Sequence, residues 1–172
     1  MNHELIIVSL FSPFPRTRSH PAESQSRVVP EEKMSGGLTI CKIPDELKET
    51  LKKFRFAKST TMNALIIKID RDAQEMRIDE EMEDVTMDEI RDELPHMQPR
   101  FLLLSYAYKH ADGRTSYPMC MIFYSPPGCS PEQQMLYAGS RNNLVNECEL
   151  TKNFEVRDQE ELTLEYIDSK AV

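Results

Sequence analysis

SPPGCSPEQQMLYAGSRNNLVNECELTK, residues 125–152, joins a turn, a well-marked helix start and a long helical pattern. Ser130 suits the N-cap, Pro131 the first helical position, and Gln133 completes a capping box. Met135, Ala138, Val145 and Cys148 recur near the helical period, and Leu136 and Leu144 broaden that stripe, so this side is expected to pack inward. The other side carries Gln134, Arg141, Asn142 and Glu149 and is expected to be open to a partner. Gly139 and Ser140 lower helix propensity but keep side chains short, which lets another backbone come close. No catalytic set accompanies the helix, so a binding module is the first expectation.

Upstream, Arg100–Lys109 and Thr115–Tyr124 read as a strand pair around the turn Ala111-Asp112-Gly113-Arg114. Both faces of these strands are apolar, which suits a sheet covered by helices on either side. Pro118 favours a strand start or edge. Pro44 opens a helix over DELKETLKKFRF, with Leu47, Leu51 and Phe54 inward, acids in its first turn and bases in its last. Residues 63–69 and 74–78 read as two strands. Thr86 with Glu89 caps a short helix whose Ile90 and Leu94 face inward, and Pro95 and Pro99 bound it. Asn153–Val156 is a short strand candidate, and a last helix is expected to begin at Asp158 or Gln159 and pack through Leu162 and Ile167. The fold class expected is α/β, a central mixed sheet sandwiched between helices.

Composition narrows the function. The chain has 172 residues, a net charge of −8 and a pI near 5.1, a size for one domain and a charge that disfavours general nucleic-acid binding. The apolar run Leu5–Phe11 is too short for membrane insertion and lacks a basic start. Residues 1–35, with Pro13, Pro15, Pro21 and Pro30, are expected to be a disordered leader, and 36–172 the folded domain. Cys41, Cys120, Cys129 and Cys148 are spaced unlike a zinc site and read as reduced thiols of a cytoplasmic protein, with Cys129 exposed beside its turn.

No reaction chemistry emerges from the motifs. His3, His20, His96 and His110 form no ordered ligand group, no serine sits in GxSxG, and no glycine set forms a phosphate loop. The acids from Glu80 to Glu93 lack an EF-hand pattern and read as a solvated face. No enzyme activity, cofactor or metal is expected. Arg141 can make a fork-shaped contact across an interface, with Lys152 and Arg157 in support.

LKKFRFAKSTTMNALIIKID, DEIRDELPHMQPRF, SYAYKHADGRTSYP and SPPGCSPEQQMLYAGSRNNLVNECELTK together resemble the glia maturation factor group of the ADF/cofilin-homology family, in family order over about Leu38–Ile167. That resemblance implies binding to the actin-related-protein 2/3 complex, dissociation of actin branches and inhibition of new branch nucleation. It implies contact with actin at branch junctions, a monomeric state, and a place in the cytoplasm at the actin-rich cortex or lamellipodia, with a nuclear pool as a further location. The partner-binding positions it implies are Gln134, Arg141 and Asn142 on the long helix, His110, Asp112 and Arg114 on the hairpin, and Glu165 on the terminal helix. Ser35–Leu38 is implied as a further contact, with Ser35 a regulatory phosphorylation site. The cofilin pattern places a base at Gln134, so the amide there fits a changed partner. Direct filament severing, as in cofilin, and a non-catalytic signalling adaptor are the alternatives.

Overall fold

The computed structural model describes residues 40–172. Its helices are α1 (Asp45–Phe56), α2 (Met87–Glu93), α3 (Pro131–Glu147) and α4 (Leu164–Ala171). Its strands are β1 (Asn63–Asp70), β2 (Glu75–Met82), β3 (Arg100–Ser105), β4 (Tyr108–Lys109), β5 (Thr115–Ser116), β6 (Met119–Tyr124) and β7 (Asn153–Val156). Five strands form one sheet in the order β2-β1-β3-β6-β7. Every pairing in it is antiparallel except β6 with β7, so the sheet is mixed, as expected.

Strand alternation divides the buried side chains between two cores. Leu65, Ile67, Phe101, Leu103, Met121 and Phe123 point to the face covered by α1 and α3. Ala64, Ile66, Leu102, Leu104, Cys120 and Ile122 point to the face covered by α2 and α4. β3 is buried at all six positions because helices cover both its faces.

Four local readings need correction. The pair read as Arg100–Lys109 with Thr115–Tyr124 breaks after Ser105: β3 pairs with β6 from Arg100↔Tyr124 to Ser105↔Met119, while β4 and β5 form a separate two-stranded ribbon. β2 runs to Met82 rather than stopping at Ile78, taking Glu80 and Glu81 into an edge strand. Charge is tolerated there because one side of an edge strand meets water. The C-terminal helix starts at Leu164, capped by Thr163, whose hydroxyl accepts from the Tyr166 N–H, and Asp158 caps only the 3-10 turn Gln159–Glu161. Cys129 is buried, its thiol donating to the Pro126 carbonyl, and all four cysteines are free and buried.

The β1–β2 pairing slips between Ile66, opposite Glu80, and Ile67, opposite Ile78, leaving Asp79 as the extra residue of a bulge. The bulge brings its carboxylate to Lys68 Nζ at 2.7 Å and Arg100 Nε at 2.9 Å. Burial pushes the Asp79 carboxyl upward, but the hydrogen bonds and charges of Lys68 and Arg100 outweigh that and hold it below its ordinary value.

Ahead of α1, the chain is stitched to its neighbours on both sides. Lys42 donates to the Gln74 carbonyl and accepts from the Met76 N–H, a parallel bridge on the free edge of β2. Cys41 donates to Ser140 Oγ at 3.0 Å, and its carbonyl accepts from Asn143 Nδ2 at 3.0 Å. The backbone that approaches the small residue of α3 is therefore the chain's own.

Candidate partner-binding surface

α3 begins as its sequence suggests, though only half of the capping box forms. Ser130 Oγ accepts from the Gln133 N–H, and Pro131 occupies the first turn. The helix lies on the sheet through Tyr137, Ser140, Leu144 and Cys148, with Leu136 and Val145 half-buried beside them. Met135 and Ala138, expected inside, face outward; Met135 is 60% exposed. Tyr137 sets this rotation. Its ring packs on Phe101 and Phe123, and its hydroxyl accepts from the Ile69 N–H at 2.8 Å. Turning Tyr137 inward buries a large ring among other aromatics and gives its hydroxyl a backbone partner, so no polar group is orphaned in the core.

The outward face therefore combines Met135, Ala138 and Asn142, which recur at helical spacing. Gln134 and Arg141 stand half-buried on its flank toward β7. Arg141 is engaged within the molecule: Nη2 donates to Asn153 Oδ1 at 2.6 Å, and the guanidinium lies 5.9 Å from the centre of the Phe123 ring. Glu149 belongs to the turn after the helix, at φ 50°, and its carboxylate pairs with Arg55. Arg157 pairs with Glu155 rather than supporting Arg141.

The β4–β5 ribbon carries the second group. Asp112 and Arg114 are exposed at its tip, where Gly113 adopts φ 85° and the Arg114 N–H is held by Asp112 Oδ1 at 3.0 Å. His110 is half-buried, bonded through Nε2 to Ser116 Oγ at 2.8 Å and edge-on to Tyr108. Its ring thus shapes the ribbon as well as facing outward. Glu165 is exposed in the first turn of α4. Ser35 and the Ser35–Leu38 contact lie outside the described residues.

Among the described residues, no hydrogen bond or ion pair links the α3 group, the ribbon group and Glu165 directly. They are held in register through intermediaries that the sequence reading did not single out. Asn153 ties Arg141 to β7, and Phe154 meets Tyr166 of α4 edge-on at 5.8 Å. Tyr106, at the base of the ribbon, donates to Asp168 Oδ1 of α4 at 2.6 Å. Burial first, and the Asp168 carboxylate second, raise the Tyr106 pKa well above its ordinary range. An aromatic at a strand end and an aspartate one turn from a helix end carry no local pattern that would pair them.

Chemically, this surface offers apolar contact, amides and a few ions. Among the described residues, no three His, Cys, Asp or Glu side chains are grouped to hold a metal. No helix among them is long and apolar enough to cross a membrane.

Residues 40–172 match the family described as Cofilin/tropomyosin-type actin-binding protein. The chain is 54% identical to glia maturation factor beta of Homo sapiens over 137 residues, covering 80% of this chain and 96% of that one. The solution structure of glia maturation factor from Caenorhabditis elegans superposes with a TM-score of 0.69 at 58% identity, covering 80% of this chain and 99% of that one. A cofilin of Streptomyces griseoflavus superposes with a TM-score of 0.66 at 17% identity, covering 75% and 95% of the respective chains, a likeness of fold alone.

Proposed function

The chain belongs to the cofilin/tropomyosin-type actin-binding family, and from that membership, with relatives named glia maturation factor at 54% and 58% identity, we propose that it binds the actin-related-protein 2/3 complex, releases actin branches and suppresses new ones. One observation carries the choice of contact surface: α3 exposes Met135, Ala138 and Asn142 in one strip, while its anchoring residues are spent on the core. An apolar strip bordered by amides suits a groove that excludes water at its centre and hydrogen-bonds at its rim.

In this reading α3 enters a groove of the complex, and the ribbon, through His110, Asp112 and Arg114, meets a neighbouring actin or complex subunit. Gln134 replaces the base of the cofilin pattern and turns preference away from filament sides. Arg141, held by Asn153, sets the shape of the flank more than it reaches outward. Glu165 borders the same region from α4. The protein acts as a monomer in the actin-rich cytoplasm, with no bond chemistry. Binding alone does not separate a branch; the surface must gain more free energy on the separated junction than on the intact one.

Imaging of single branches tests this. Purified protein should shorten branch lifetime at concentrations that leave unbranched filaments intact. Preferential cutting of bare filaments would support cofilin-like severing, and no effect on either would overturn both.

A further inference from the structure

Residues 48–58, in α1 and just past its end, reverse the charge of the molecule around them. Five of the 21 Lys and Arg residues, Lys48, Lys52, Lys53, Arg55 and Lys58, fall within 48–58 of a chain whose net charge is −8. Lys48 pairs with Asp45 and Arg55 with Glu149, but Lys52, Lys53 and Lys58 are exposed and without an ion-pair partner among the described residues. In their midst Phe56 is 75% exposed, more than any other large apolar side chain described, with the Arg55 guanidinium 5.7 Å from its ring centre. Bases at a helix end complement its dipole. That accounts for Lys53 and Arg55, but not for an aromatic ring held in water.

Two hollows flank this ridge. One, of about 260 Å³, lies between Lys52, Arg55 and the end of α3. The other, of about 210 Å³, lies between Lys53, Ala57 and the end of β2. Their far walls carry Glu147 and Glu149 in the first and Glu81 and Glu83 in the second. These acids oppose a flat anionic bilayer, which would press on ridge and walls together. A narrow chain following the ridge meets the cations and avoids the walls.

We propose that the ridge Lys52–Lys53–Phe56–Lys58 is a docking site for an acidic peptide segment of a partner protein, one that bears an aromatic or large aliphatic side chain among its carboxylates. Carboxylates pair with the lysines, and the apolar side chain covers Phe56. The site borders the α1 side of α3, whereas Gln134 and Arg141 occupy the flank toward β7. It therefore stands apart from the branch-junction reading.

The test uses the full chain and a labelled peptide of Asp and Glu with one central Trp, followed by fluorescence anisotropy. Matched peptides with the Trp replaced by Ser, or the acids by Asn and Gln, and phosphatidylserine-containing vesicles complete the set. Saturable binding of the acidic Trp peptide, weakened roughly tenfold by Phe56→Ala and by Lys52→Glu with Lys53→Glu, is the expected result. All three positions are exposed, so their melting curves should match the parent. Binding indifferent to these variants, or no binding, overturns the site. Sedimentation with vesicles without peptide binding overturns it in favour of a lipid surface.

Discussion

The Cys41 N–H donates to Ser140 Oγ at 3.0 Å, across 99 positions of sequence and within the fully buried space between the lead-in segment and α3. Ser140→Ala should cost about 1–2 kcal/mol, since it strands a buried backbone donor. Ser140→Leu should cost more, because the added volume meets backbone rather than a movable side chain. Urea unfolding measures both, and an alanine variant as stable as the parent would remove the clamp from the account.

Asp79→Asn should destabilise by about 2 kcal/mol at neutral pH, because Arg100, only 10% exposed, loses its carboxylate. The remaining 24% exposure of Asp79 keeps the cost below that of a fully buried pair. Since the folded carboxyl titrates below the unfolded value of 3.8, its contribution is whole above that value. It disappears as pH falls through the lower folded value. Parent and variant curves of stability against pH should converge in acid, and parallel curves would contradict the assignment.

Tyr106→Phe should lose about 1.5–3 kcal/mol, the worth of a hydrogen bond to a charged acceptor. Amide exchange should quicken in α4 and at the base of the ribbon before it changes in β1. Uniform quickening would show that the bond does not couple those two elements.

All four thiols should resist alkylation in the folded protein. Burial pushes Cys120 and Cys148 up to about 12, aided in each case by a nearby carboxylate, and it raises Cys41 and Cys129 as well. Denaturant should release four reactive groups at once. Fast labelling of Cys129 in native buffer would contradict its burial.

Met135→Asp places a charge where the side chain is already 60% exposed. Stability should stay within about 0.5 kcal/mol of the parent, while branch release should fall sharply. A variant that is fully active would move the contact off this strip.

Most elements were readable because each announced itself locally. Pro44 with the Leu47–Leu51–Phe54 stripe, Thr86 with Glu89, Ser130 with Pro131, and the runs in β1 and β3 carry their own signals. The rotation of α3 did not, because counting apolar letters favoured Met135 and Ala138. Inward positions belong instead to Tyr137 and Ser140, whose hydroxyls find backbone partners far away in sequence. The end of β2 was obscured by acids that only an edge strand accommodates, and Asp79 by a bulge that depends on β1 and Arg100. Partner positions on the helix, ribbon and α4 came from family likeness; the residues that brace them, Asn153, Tyr106 and Asp168, are contacts of tertiary structure.

α3 is fastened near its start by Glu132 to Arg71, midway by Arg141 to Asn153, and beyond its end by Glu149 to Arg55. Each tie is modest alone, yet together with Tyr137 they leave the rod little freedom to surrender on association. Its docking should thus resemble the meeting of two finished shapes, with a heat-capacity change set by the area covered and no surplus from folding.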